Sequence, residues 1–302
     1  MKMNVKVSEL EYDKYIKGME FLIQKSMNKS TSVKVITVIK NNGKRHQGIR
    51  VDEGEDHIIP QIYLEEMYAE QRERGITLED AVNEFLKIYQ AVKCEFIPLD
   101  IFKWEYVKEH VSVKVINAEW NKELLKTVPC KRVLDLAIVY QIVLEMTEYD
   151  SATVLVKKEH LKQWGISEEE LHEIAEVNSK KSYPANLKKM RDIVNEVLNI
   201  KEIHEDETDS TLYVLSNQYR MFGAVTFLYK GALEKIGEQL KSDFVIIPSS
   251  IHEVILLKDT HETDRAEIEE IIKHVNEKQV SIEERLSDHS YYYSVKDKRL
   301  SL

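Results

Sequence analysis

Short apolar runs follow one another with almost no spacer between residues 211 and 258. Residues 211–216 and 224–229 are rich in Leu, Val, Tyr, Thr and Phe, and the polar stretch 217–223 between them can reverse the chain, which predicts a β-hairpin. Leu233, Ile236 and Leu240 recur at the spacing of a buried helical stripe, so a short helix should pack on that hairpin. Two further runs, 244–247 and 254–257, flank Pro248, Ser249 and Ser250, residue types that favour turns and edge positions. The unit reads ββαββ. Because both faces of its strands are largely apolar, they are expected in the middle of a covered sheet, as the core of the molecule.

Elsewhere the same periodicities predict a succession of helices and hairpins. Tyr15, Ile16, Met19, Leu22 and Ile23 mark an amphipathic helix over 12–27. Residues 33–39 and 47–51 read as a hairpin, since the Asn41-Asn42-Gly43 run between them readily takes positive φ. Pro60 can start a helix whose stripe is Tyr63, Leu64, Met67 and Tyr68, ending at Gly75. Thr77 caps the next helix, 78–90, with Asp80 in its first turn and Ala81, Val82, Phe85, Leu86 and Tyr89 facing inward. Residues 1–95 thus form an N-terminal α/β unit of helix, hairpin and two helices, and residues 96–302 a main α+β domain.

In that second part, Pro98 precedes a helix over 102–110 and a strand over 111–116. Residues 133–145 are apolar on every face and compatible with a buried helix or a buried strand. A strand is favoured, because Asp150 and Ser151 offer a turn and 152–156 a β-branched partner. Ser167 and Glu170 form a capping box ahead of Leu171, Ile174 and Ala175. After Pro184, Leu187, Met190, Ile193, Val194, Val197 and Leu198 mark another helix, and the acidic run 202–210 an exposed connector. Ile268, Ile271, Ile272 and Val275 give a helix over 266–275, and Tyr291-Tyr292-Tyr293 a terminal strand or a docking patch. The fold class is α+β, with mostly antiparallel sheets built of β-hairpins and covered by amphipathic helices.

Composition removes several functions. In 302 residues there are only nine Gly and five Pro, little material for long linkers. A net charge of -10 opposes any broad hold on nucleic acid or an anionic membrane. Lys157-Lys158, Lys180-Lys181 and Lys188-Lys189 with Arg191 are best read as solvated helix faces. Cys94 and Cys130 stand alone, without metal-ligand or disulfide spacing, so no cofactor and no metal is expected. Residues 202–210 lack the glycine and closing glutamate of a calcium loop. Charges interrupt the first fifteen residues, and the most apolar run, 133–144, contains Asp135 and Gln141, so neither a signal peptide nor a membrane span is expected and the cytoplasm is the expected location.

Dinucleotide, P-loop, zinc-protease and nucleophile-elbow motifs are all missing. The densest chemistry is Ser249-Ser250-Ile251-His252-Glu253, where an imidazole oriented by a carboxylate could activate a hydroxyl. On a strand, however, His252 and Glu253 would point to opposite faces. Turn hydrogen bonding is the simpler reading. Asn217 and Gly223 bracket the predicted hairpin turn, where backbone N–H groups could hold an anion, although ordinary turn chemistry is the better reading. Asn178 suits the carboxyl end of the helix begun at Ser167. Asp135 beside so apolar a run needs a partner or marks a site.

Taken together, Asn41-Asn42-Gly43 with Gly48-Ile49, Pro60 with Ile62-Tyr63-Leu64, Leu134-Asp135-Leu136-Ala137 with Val139-Tyr140, Trp164-Gly165-Ile166, Ala175 with Asn178, Gly223-Ala224 and Pro248 to Glu253 carry a resemblance. The chain resembles, nearly end to end, the domain-of-unknown-function family 5688 of Gram-positive gut bacteria, and is distantly similar to a second bacilli family of similar length. The resemblance implies membership and bacterial origin, and no activity. Ile59-Pro60-Gln61 departs from the Ser-Pro-Thr type of turn expected there. The resulting expectation is a non-catalytic protein-binding module that presents a sheet edge, a groove or the tyrosine patch to a protein partner. Its alternatives are a hydrolase-like enzyme with a site around Ser249, Ser250, His252 and Glu253 joined by Asn217 or Asp135, and an acidic inhibitor from a mobile element.

Overall fold

Tyr15, Ile16, Met19, Leu22 and Ile23 are all buried along one stripe of helix α1 (Tyr12–Ser26), as their spacing requires. The computed structural model describes residues 5–52, 61–94, 103–147, 151–198, 211–259 and 264–302. It forms two units, residues 1–40 with 44–101 and residues 41–43 with 102–302. The expected helix start at Pro60, the opening at Pro98, the turn at Asp150 and the acidic connector 202–210 lie outside the described residues.

In the first unit, β1 (Ser32–Ile39) and β2 (Arg45–Asp52) pair antiparallel with Val35 opposite Ile49, and Asn42 and Gly43 turn the chain at φ 56° and 69°. Contrary to the helical reading of Tyr63, β3 (Gln61–Tyr63) adds to β2 with Tyr63 opposite Gly48. A Cβ at residue 48 would meet the Ile62 carbonyl oxygen at 2.9 Å, so glycine there admits the third strand. Helix α2 (Glu65–Arg74) ends at the left-handed Gly75, and α3 (Leu78–Cys94) begins where the Thr77 hydroxyl accepts the Asp80 N–H at 3.2 Å. Phe85, Leu78, Ile49 and Leu64 close the core with the α1 stripe. Buried Gln71 is satisfied by the Tyr15 hydroxyl at 2.7 Å and by Glu84 at 3.0 Å.

The second unit opens with α4 (Trp104–His110) and β4 (Val111–Asn117). The latter pairs with β6 (Leu136–Met146), whose other edge is shared in succession by β5 (Cys130–Val133) and β7 (Ser151–Leu155). The ambiguous apolar run is therefore the central strand of this sheet, except that Val133 ends β5 and Leu134, at φ 54°, turns the chain ahead of β6. Helices α5 (Lys158–Trp164) and α6 (Glu168–Ser182) follow, with the Ser167 hydroxyl accepting the Glu170 N–H at 3.1 Å.

A six-stranded antiparallel sheet completes the unit in the order β13-β12-β10-β11-β9-β8. Its members are β8 (Ala185–Lys189), β9 (Leu212–Asn217), β10 (Phe244–Pro248), β11 (Val254–Lys258), β12 (Tyr291–Ser294) and β13 (Arg299–Ser301). Helices α7 (Met190–Leu198), α8 (Ala232–Leu240) and α9 (Arg265–Lys278) are interleaved with them in sequence. Leu187 thus belongs to a strand, and α7 starts only at Met190.

The larger correction concerns 224–229. Both edges of β9 are taken, by β8 and β11, so no ladder position remains for a hairpin partner. The segment instead winds into a 3₁₀ helix (Gly223–Leu228) with Ala224, Val225 and Phe227 buried, and the Thr226 hydroxyl donates to the Gly223 carbonyl at 2.7 Å. The ββαββ expectation becomes strand, 3₁₀ turn, helix and hairpin. The tyrosine run is a strand, β12, with Tyr291 and Tyr293 buried in the core and Tyr292 half-buried between them, and Ile271 is exposed on α9.

Candidate functional site

Ser249, Ser250, Ile251, His252 and Glu253 form the turn joining β10 to β11, where the Ser250 hydroxyl and His252 Nδ1 are spent on backbone N–H groups. The Ser250 hydroxyl accepts the His252 N–H at 3.0 Å, the Ser250 N–H donates to the Glu253 carbonyl at 3.2 Å, and Ile251 N–H donates to the Glu284 carbonyl at 2.8 Å. His252 Nδ1 accepts the N–H of Phe222 at 3.1 Å, which leaves the proton on Nε2, facing Glu284 at 3.7 Å. Burial pushes this imidazole below its ordinary pKa against the opposing pull of Glu284. Neither ring nitrogen is directed at a serine hydroxyl.

Asn217 and Gly223 meet this turn as scaffold. Asn217 Nδ2 donates to the Met221 carbonyl at 2.8 Å and its Oδ1 accepts the Tyr219 N–H at 2.9 Å, a closed side-chain turn. Gly223 lies so close to Ser216, Asn217 N and the His252 carbonyl that no Cβ fits, while the Ser216 hydroxyl donates to that carbonyl at 2.7 Å. Asn178 caps a neighbour: inside α6, it sends Nδ2 to the carbonyls of Lys108 at 2.9 Å and Val111 at 3.1 Å, at the end of α4.

Asp135 sits in the turn before β6 and takes His289 Nε2 at 3.0 Å on one oxygen and the Tyr291 hydroxyl at 2.9 Å on the other. Burial alone would raise its pKa, but these hydrogen bonds outweigh burial and hold the carboxyl below the usual range. No hydrogen bond joins it to His252 or Asn217. The sequence candidates therefore form three separate structural devices.

A different cluster lines a cleft. Cross-strand partners share a sheet face, and the register puts Lys131 opposite Ile138 and Val113 opposite Tyr140 on one face of the β4-β6-β5 sheet. Across that face runs α6, fastened to the outer edge of β4 by the buried Ser179 hydroxyl, which accepts the Val113 N–H at 2.9 Å and donates to the Ala175 carbonyl at 2.7 Å. Between them opens a cleft of about 260 Å³ with Val113, Val133, Ile138, Val225, Leu228 and Tyr229 as its apolar lining and Lys131, His172, Glu176 and Lys230 as its polar groups.

These four polar residues differ in what they have left to offer. Glu176 takes the Lys180 ammonium and the Lys230 N–H on one oxygen, each at 2.8 Å, and its other oxygen lies 3.5 Å from His172 Nε2. Burial would raise its carboxyl, but these partners bring it below the ordinary value. Lys131 Nζ donates to His172 Nε2 at 3.0 Å. The imidazole stands edge-on to Tyr140 at 6.1 Å, its Nδ1 buried without a hydrogen-bond partner, and burial together with Lys131 holds it neutral. Neither Lys131 nor the Lys230 ammonium pairs with a carboxylate among the described residues. None of the sequence-chosen site residues lines this cleft. The signal that could have found it is the His172, Glu176, Lys180 series, spaced by four along one helix face.

Val113, Val225 and Tyr229 also border a void of about 10 Å³ where the buried Ser112 hydroxyl and Gln141 Oε1 lack protein partners beside Asn217 and Tyr183. Its size suits one water-sized group. Among the described residues no group of three or more His, Cys, Asp or Glu could hold a metal, and no helix is long and apolar enough to cross a membrane. Cys130 is a free, half-buried thiol whose pKa burial raises.

The chain thus combines an α+β scaffold of antiparallel sheets with a cationic, apolar-floored cleft. A family model for the family of unknown function DUF5688 matches residues 12–295, and the chain belongs to that family. No curated protein and no solved structure matches it.

Proposed function

We propose that the chain is a non-catalytic binding protein whose recognition site is the cleft between α6 and the β4-β6-β5 sheet. The observation that carries this reading is a concavity of about 260 Å³ with apolar walls and a few polar groups at one side, the usual make-up of a small-ligand site. Catalysis finds no support in the lining. It contains no Ser, Thr or Cys, the one imidazole has Nε2 committed to Lys131 and Nδ1 buried, and the one carboxylate is paired with the Lys180 ammonium. The hydrolase alternative loses its base in the same way, since His252 Nδ1 holds a backbone amide. The groove, among the surfaces expected to meet a partner, is the one this reading takes up, and its size and lining favour a small ligand.

Two-dimensional NMR with a soluble fragment set tests the reading. Localised shifts at residues 131, 172, 225 and 228, with the fragments recovered chemically unchanged, are expected. Leu228→Trp should fill the half-buried rim and abolish the shifts without lowering the melting temperature. Turnover of a fragment, or shifts scattered away from the cleft, would overturn the assignment.

A further inference from the structure

We infer that the ligand of this cleft is a small monocarboxylate with an aromatic or branched apolar body. The inference rests on the cleft being a binding site and adds the class of its occupant. Glu176 already has an ammonium and a backbone N–H, so the unspent charge of the lining is positive, on Lys131 and Lys230. Lys131 is exposed at its own sheet position, yet among the described residues its one hydrogen bond goes to a neutral imidazole whose other nitrogen is buried without a partner. An arriving carboxylate can take the two remaining ammonium protons without displacing a protein anion. In a chain of net charge -10 such an anion-seeking spot is against the overall field, so its attraction must be local.

The remainder of the ligand is set by the walls. Val113, Val133, Ile138, Val225 and Leu228 offer no hydrogen-bonding side chain, which selects an apolar body. A cavity of roughly 150 Å³ accommodates benzene. The 260 Å³ here therefore has room for one ring or a branched chain together with a carboxylate headgroup.

Calorimetric titration of the full chain with 3-phenylpropionate, its neutral amide and 3-phenylpropylamine reads the class directly. The acid should bind about tenfold more tightly than the amide and lose that margin in high salt, and the amine should not bind. Lys131→Met should reduce the acid to the affinity of the amide while leaving the amide unchanged. Lys162→Met, the same charge change on an exposed residue of α5 outside the cleft, should alter neither. Equal binding of all three probes, or preference for the amine, overturns the carboxylate assignment while leaving the cleft as a site. Absence of binding by all three also overturns it, and the Leu228→Trp comparison of fragment shifts then shows whether the cleft reading falls as well.

Discussion

Asp135 and His289, 154 residues apart, meet at 3.0 Å between Oδ2 and Nε2 and tie the turn before β6 to the segment entering β12. The hydrogen bond to Asp135 raises the His289 pKa against the effect of burial, while Asp135 is lowered by the same contact and by Tyr291. His289 therefore adds stability that is complete below its ordinary value of 6.5 and fades as pH rises through the folded value. Asp135 adds stability that is complete above 3.8 and fades as pH falls through its own folded value. Both contributions are in place between those two limits. Urea unfolding across pH should show Asp135→Asn costing about 2 kcal/mol near pH 5.5 and less above pH 8. A cost that does not vary with pH would show that the charge pair is not what holds the turn.

His252 titrates in the opposite sense. Burial lowers its pKa and the neutral Nδ1 accepts the Phe222 N–H, so protonation must break that bond. Its contribution is present above the ordinary value of 6.5 and is lost as pH falls through the lowered folded value. Phe222 needs the anchor because it stands at φ 53°, a costly conformation for a large side chain. His252→Ala should cost about 1 to 2 kcal/mol. His252→Asn, whose Oδ1 can accept the same N–H, should recover part of the loss and remove the acid dependence. If both variants lose equal stability and keep the wild-type pH profile, the ring matters only for its packing on Phe222.

Strands and helices with one-sided burial were legible: α1, α3, α9 and the β1-β2 and β10-β11 hairpins follow from spacing, caps and turn residues. What misled was pairing. Residues 224–229 have a strand's composition, but β8 and β11 occupy both edges of β9, and the apolar side chains are buried as well by a 3₁₀ turn. Tyr63 and Leu187 were drawn into helices by their spacing, where ladder positions opposite Gly48 and Leu215 claimed them. Among site candidates, the need of Asp135 for a partner was legible from its apolar surroundings, whereas the partners themselves lie more than 150 residues away. The cleft was not legible. Lys131, His172 and Lys230 come from three distant segments, and a His-Glu pair spaced by four reads locally as helix surface.

Glycine 223 separates two kinds of glycine requirement. At Gly75, φ is 63° and nothing lies within 4 Å of an added Cβ, so Gly75→Ala should cost only the strain of the left-handed backbone, about 1 kcal/mol. A Cβ at Gly223 would instead overlap the Ser216 hydroxyl and lie 2.6 Å from Asn217 N and 2.8 Å from the His252 carbonyl oxygen. Overlap with the backbone of β9 and of the turn between β10 and β11 cannot be relieved by a rotamer change, so Gly223→Ala should cost about 3 kcal/mol or more. Parallel denaturant curves of the two variants decide the matter. Equal losses would mean that the end of β9 and the turn carrying His252 separate easily, contrary to their packing.

Asn178 gives the sharpest contrast between shape and charge. Its Nδ2 serves two carbonyls, Lys108 and Val111, at the carboxyl end of α4, where a seven-residue helix has few other partners for its last acceptors. Asn178→Ala removes the donor from the carbonyls of exposed Lys108 and buried Val111, so a loss of about 1 to 2 kcal/mol is expected. Asn178→Asp keeps the shape, removes the donor and puts a negative charge against the negative end of the α4 dipole. It should therefore be the more damaging of the two at pH 7 and approach Asn178→Ala near pH 3, once the new carboxyl is protonated. Stability measured at both pH values checks this order. If Asp is tolerated as well as Asn at neutral pH, the two hydrogen bonds to α4 are not what fixes that helix end.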